Sequence, residues 1–209
     1  SATITYFVAG AGGCADDEAT RTVTVTAPPN AGTLSGNQNI CEGQTTAFTI
    51  SGNSATGVWS SSNTSIATVN SSGVITGVSS GTATITYTVT GTGGCADDET
   101  TRTVTVTAPP IAGTISGNQN ICEGQTTTFT SNGDAGGVWS SSAETIATVS
   151  SSGVVSGISA GTATITYFVA GAGGCADDET TRTVTVTAPP IAGTISGNQN
   201  ICEGQTTTF

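Results

Sequence analysis

An all-β chain built from repeated two-sheet sandwich modules follows from three observations. β-forming residues dominate while strong helix formers are nearly missing, apolar residues alternate with Thr at period two, and the whole pattern recurs every 80 to 81 residues. Ser and Thr fill 67 of the 209 positions, whereas Leu occurs once and Lys, His and Met never, so helical segments have almost nothing to form from. Residues 95–129 match residues 175–209 at all 35 positions, and residues 2–18 match 163–179. Self-similarity of this degree marks a tandem array whose modules share one design.

The elements of one module can be taken in chain order. Ala31 to Leu34 opens it, and Gln44 to Ile50 places Phe48 and Ile50 on an inner face. Val58-Trp59-Ser60 carries the module's single Trp, and Ile66 to Val69 folds back on Val74-Ile75 across the turn Asn70-Ser71-Ser72-Gly73. In Gly81 to Val89, Ala83, Ile85, Tyr87 and Val89 face one side and Thr the other, the pattern of a half-buried strand. Arg102 to Thr107 repeats it with Val104 and Val106. Seven short strands in about 80 residues specify a sandwich of two antiparallel sheets. With mostly Val, Ile and Ala inside, such a core is marginal and gains from covalent or neighbour support.

Pro28/Pro29, Pro109/Pro110 and Pro189/Pro190 fall between repeats and serve as joints with fixed φ. They divide the chain into the C-terminal part of a module (1–27), whole modules at 30–108 and 111–188, and the N-terminal part of another (191–209). The expectation is a window onto a longer secreted polypeptide in which modules follow one another end to end, Phe209 falling inside a strand.

Composition excludes much chemistry. Without His there is no imidazole base or His-ligated metal, and without Lys no Schiff base. Three Arg against 14 acidic residues give a net charge of −11, which argues against a nucleic-acid partner. No run reaches the roughly 18 apolar residues of a membrane-spanning helix. Thr ladders such as Thr82-Thr84-Thr86-Thr88 read as uncharged solvent faces; Phe7 and Phe168 stand where the middle module has Thr88, and an outward aromatic there marks a contact with a covering loop or another chain.

Four segments, Val58 to Asn63, Ile66 to Val69, Gly73 to Gly77 and Gly81 to Ile85, together resemble the bacterial immunoglobulin-like group 2 domain of invasin- and intimin-type adhesins, and Val138 to Ile165 gives a second match. The Cys pair and acidic loop depart from the usual group 2 pattern and are more similar to repeats of giant secreted surface proteins of Bacteroidota. The resemblance implies a non-enzymatic stalk or fibre at a bacterial cell surface, with neighbouring modules, and other copies in a fibre, as its partners. Two further functions are expected as alternatives: a glycan or host-surface binding module, and a polymer subunit that donates strands.

Each repeat contributes two Cys: Cys41 and Cys95, then Cys122 and Cys175, with Cys14 and Cys202 outside the whole modules. An even number in a secreted-type chain reads as a disulfide framework. In immunoglobulin topology Cys41 lies at the end where the module's chain exits and Cys95 at the end where it enters. A strand of about eight residues holds those ends roughly 25 Å apart, whereas a disulfide needs Cα atoms within about 7 Å. Bonding between repeats, Cys41 with Cys175, is therefore preferred. Cys41–Cys95 with Cys122–Cys175 remains an alternative, as do the short pairings Cys14–Cys41, Cys95–Cys122 and Cys175–Cys202, or free thiols.

Asp97, Asp98 and Glu99, and likewise Asp177, Asp178 and Glu179, follow their Cys closely, and Glu42 and Glu123 follow theirs by one residue. Any bond between the two Cys types gathers carboxylates of a kind that suits calcium. The opposing expectation is that these are solvated turns, partly neutralised by Arg21, Arg102 and Arg182.

Overall fold

A computed structural model describes residues 1–197 and 199–208, so the expected strand position of Phe209 lies outside the described residues. The described residues form strands, turns and loops with no helix. By their contacts they divide into two units, Ser1–Pro110 with Gly171–Asp177, and Ile111–Ala170 with Asp178–Phe209.

The first unit begins with a hairpin of β1 (Ala2–Val8) and β2 (Asp17–Val23), paired from Ala2 opposite Val23 to Val8 opposite Asp17. Its sandwich follows: β3 (Thr33–Ser35), β4 (Asn39–Cys41), β5 (Thr45–Ala47), β6 (Thr49–Ser51), β7 (Val58–Ser61), β8 (Ala67–Val69), β9 (Val74–Gly77), β10 (Gly81–Val89) and β11 (Asp98–Thr107). One sheet has the order β4-β11-β10-β7; the opposite layer consists of β3 paired with β6 and of β5-β9-β8. Between them lie Leu34, Ile40, Phe48, Ile75, Ile85, Tyr87, Val89, Val104 and Val106, all buried. The inward residues of β10 and β11 are those the period-two alternation selects.

One strand in the structure is absent from the sequence reading, and one read as continuous is broken. The opening strand, read as Ala31 to Leu34, is β3, antiparallel to β6; it is followed by β4, which the reading did not identify and which runs parallel to β11, so the chain changes sheets between Ser35 and Asn39. Gly36 makes the crossing: its φ is +137°, and a Cβ there would overlap the Ala47 carbonyl and the Phe48 ring. Gln44 to Ile50 splits at Phe48, whose amide leaves the ladder and donates to the Gly73 carbonyl at 2.9 Å. Trp59 is half-buried and tilts on Tyr87 with ring centroids 4.9 Å apart, while the Tyr87 hydroxyl accepts from the Gly57 amide at 2.6 Å.

The second unit repeats this design with β12 (Ile115–Ser116), β13 (Asn120–Cys122), β14 (Thr126–Thr128), β15 (Thr130–Ser131), β16 (Val138–Ser141), β17 (Ala147–Val149), β18 (Val154–Gly157), β19 (Gly161–Val169) and β20 (Asp178–Thr187). Its sheets run β13-β20-β19-β16, β14-β18-β17 and β12-β15. Phe129, Val155, Ile165 and Val184 are fully buried in its core.

The apolar faces of the two kinds of hairpin differ in burial. Ile85 and Tyr87 of β10 are 0% and 4% exposed, whereas the matching Ile4 and Tyr6 of β1 are 58% and 72% exposed. Phe7 is exposed, and Phe168 is half-buried.

Candidate functional site

The candidate site is built on the end of β11. Cys41 closes β4 opposite Thr107 in parallel register, and the next residue, Glu42, donates its amide to the Thr107 carbonyl at 2.9 Å. A tight turn then forms as the Gln44 amide donates to the Cys41 carbonyl at 3.0 Å. This fixes the Cys41 side chain in a nearly buried position beside the strand end. The segment Gly171–Asp177, which leaves β19 and returns to β20, belongs by its contacts to the first unit. It presents Cys175 to Cys41, and the two are bonded with Cα atoms 4.8 Å apart across a sequence separation of 134. The Cys175 sulfur lies 3.4 Å from the Thr107 carbonyl oxygen. Cys14, Cys122 and Cys202 are exposed free thiols, and Cys95 is a half-buried one.

The acidic residues do not gather around this bond. Asp97 accepts from the Gly91 amide at 2.9 Å and Asp177 from the Gly171 amide at 2.7 Å, each bracing its own loop. Asp98 reaches back to the Ala31 amide at 2.8 Å and Asp178 to the Ala112 amide at 2.7 Å, tying the start of the last strand to the start of the same sandwich. Glu42 accepts from Ser80 and Glu123 from Ala160, while Glu99 and Glu179 are exposed. Among the described residues no group of three or more Cys, Asp or Glu side chains converges as a cation would need. Six of the eight carboxylates serve backbone amides at separate places. Adding calcium or EDTA is expected to move the thermal midpoint by less than about 2 °C; a rise of several degrees with calcium in differential scanning calorimetry would contradict this.

Arg102 and Arg182 also act differently from the sequence expectation. Arg102 donates to the Leu34 and Gly36 carbonyls at 3.3 and 3.0 Å and lies over the Phe48 ring, 5.6 Å from its centroid. Arg182 does the same with Ile115, Gly117 and Phe129. Their guanidinium groups hold the sheet-crossing turn onto the core instead of neutralising the acidic loops. Sequence reasoning missed both this role and that of Asp98, since their partners lie 65 to 68 residues away. Asp98→Asn removes a charge-assisted hydrogen bond and is expected to cost about 1–2 kcal/mol in urea unfolding followed by Trp59 emission.

Two sandwiches of mixed sheets, antiparallel except for β4 on β11 and β13 on β20, define a tandem immunoglobulin-like protein. The chain belongs to the bacterial Ig-like domain (group 2) family, whose model matches residues 22–100 and 101–177. Over 149 residues it is 33% identical to Ice-binding protein 1 of Shewanella frigidimarina (strain NCIMB 400), covering 61% of this chain and 16% of that protein. The chain thus spans about a sixth of the length of that relative. Among solved structures, a C-terminal fragment of intimin in complex with the intimin-binding domain of its translocated receptor is 15% identical, with a TM-score of 0.45, over 77% of this chain and 64% of that one. A Ca2+-stabilized adhesin that helps an Antarctic bacterium reach out and bind ice is 19% identical, with a TM-score of 0.41, over 94% of this chain and 59% of that one. Domains 1–6 of the surface layer protein SbsC are 19% identical, with a TM-score of 0.32, over 90% of this chain and 32% of that one. At such scores these likenesses carry no functional weight.

Proposed function

We propose that the chain is a structural segment of a long extracellular adhesin or surface filament of a bacterium, a spacer whose successive repeats are joined by disulfides. The observation that carries this reading is the bond between Cys41 and Cys175, two cysteines that belong to successive repeats. Membership of the bacterial Ig-like group 2 family, in two tandem copies, supports a modular structural role. The Cys pairs and acidic loops are the features that point toward giant Bacteroidota surface proteins. Oxidation requires a compartment outside the cytoplasm.

The mechanism is mechanical. Force applied along the chain passes from Cys41 directly to Cys175, so the residues between them bear no load and cannot be drawn out. If Cys202 is bonded likewise to the next repeat, only the 26 residues 176–201 separate one bond from the next along the loaded route. Single-molecule stretching tests this: reduction should release roughly 450 Å of chain that the oxidised protein withholds, at about 3.3–3.6 Å per residue. Equal extension before and after reduction would overturn the reading.

A further inference from the structure

Three loops of the chain carry the same Gly-Gly-Cys-Ala-Asp sequence, at residues 12–16, 93–97 and 173–177. They also share a conformation. The first glycine has φ of +68°, +65° and +62° at Gly12, Gly93 and Gly173, and the second has +89°, +86° and +87° at Gly13, Gly94 and Gly174. In each loop the Cys amide donates to the carbonyl three residues earlier, and the Asp accepts from the glycine amide at the loop's start. The loop is thus formed by its own hydrogen bonds, whether or not its cysteine is bonded.

What differs is the surroundings of the first glycine. A Cβ at Gly12 would meet nothing within 4 Å, but at Gly93 it would overlap the Thr26 hydroxyl and at Gly173 the Thr107 hydroxyl. Thr26 and Thr107 are equivalent positions, the last Thr of the Thr-Val-Thr-Val-Thr run before each Pro pair. At the second glycine all three loops face open space. The sulfur follows the same rule: the free Cys95 thiol donates to the Thr26 carbonyl at 3.6 Å, and the bonded Cys175 sulfur sits 3.4 Å from the Thr107 carbonyl. The docked arrangement is therefore the same with and without a disulfide.

We propose that the contact of Gly173 with Thr107 selects the thiol to which Cys175 bonds, the loop seating on the strand end before oxidation and so meeting Cys41, which stands opposite Thr107. Gly93 on Thr26 is the same device at Cys95. This rests on the reading of the Cys41–Cys175 bond as the link between repeats. The chemistry needs a disulfide oxidant such as oxidised glutathione. One cysteine thiolate attacks it, forming a mixed disulfide and releasing one glutathione thiol. The docked second thiolate then attacks the mixed disulfide and releases the other, so two protons and two electrons leave the pair. Gly173 and Thr107 are positioning residues that take no part in the exchange.

The adjacent glycines supply a matched control. Asn tolerates a positive φ better than other side chains, so Gly173→Asn and Gly174→Asn carry a similar backbone cost, but only the first meets Thr107. The reduced full chain is reoxidised with a glutathione couple, and Cys41–Cys175 is quantified by peptide mapping, with Trp139 emission reporting that the sandwich is folded. Gly174→Asn should match the parent, while Gly173→Asn should lose on the order of tenfold in that pairing, the size of effect expected from overpacking a close contact. Equal yields from the two variants overturn the proposal. Should the parent itself fail to form Cys41–Cys175, the reading of the link falls and the proposal with it. A readout free of that bond is alkylation: Cys95 should react more slowly than Cys14, Cys122 and Cys202, and Gly93→Asn should erase the difference. Unchanged Cys95 reactivity in Gly93→Asn also counts against the dock.

Discussion

Cys41→Ser lowers the urea midpoint of the oxidised protein, by an amount equivalent to as much as about 5 kcal/mol if the chain-entropy account of disulfides holds in full. The bond closes a loop of sequence separation 134, and the cost of closing an open chain of that size sets the ceiling. The realised value is expected nearer 3 kcal/mol, because the sandwiches inside the loop order part of that chain through their own cores. Trp59 and Trp139 report the two units, and two midpoints are expected in place of one, since units with separate cores need not unfold together. The fully reduced parent and Cys41→Ser should coincide to within about 0.5 kcal/mol. Equal midpoints for the oxidised parent and the variant would mean that the bond contributes nothing to stability.

Phe129→Ala is expected to cost about 3–5 kcal/mol, enough to unfold much of the second unit's population. The ring is fully buried, and it closes the core beneath the Arg182 guanidinium, 5.7 Å from the ring centroid. Its removal leaves a cavity and also takes away the ring face over which the Arg182 guanidinium lies. A sandwich of this size is stabilised by only about 4–11 kcal/mol in all, so few substitutions threaten it as much. Equilibrium urea unfolding followed by Trp139 emission checks the figure. A loss below about 1 kcal/mol would show that the core collapses around the gap.

Local patterns made the sandwich legible and left its long-range ties hidden. The alternation in Gly81 to Val89 identifies the residues that β10 buries, and the turn Asn70 to Gly73 joins β8 to β9 where its residue types require. The change of sheet at Gly36 was not legible, because a glycine in a Ser-Gly-Asn run reads equally well as any turn; only the approach of Ala47 and Phe48 shows why a side chain is excluded. Arg102 looked like a counter-charge to the acidic loop. Its carbonyl partners belong to the sheet-crossing turn and become neighbours only when β3 and β11 pack. For the same reason the tie from Asp98 to the Ala31 amide, 67 residues away, was hidden, and Asp98 read only as one of a cluster of loop carboxylates. Among the cysteines, spacing narrowed the pairings and left several open. The difference between Gly173 and Gly174 is invisible in sequence, since both are glycines with nearly the same role in the turn.

The distribution of arginines allows a direct test of how the repeats are joined. With no Lys present, trypsin cuts only after Arg21, Arg102 and Arg182, giving peptides 1–21, 22–102, 103–182 and 183–209. Cys41 and Cys95 share the second peptide, and Cys122 and Cys175 the third. A tryptic digest of the oxidised protein without reduction should contain peptides 22–102 and 103–182 as one disulfide-linked species, and cleavage after Glu42 and Glu123 should assign the link to Cys41 and Cys175. Recovery of the two peptides unlinked, each closed by its own internal disulfide, would contradict the account.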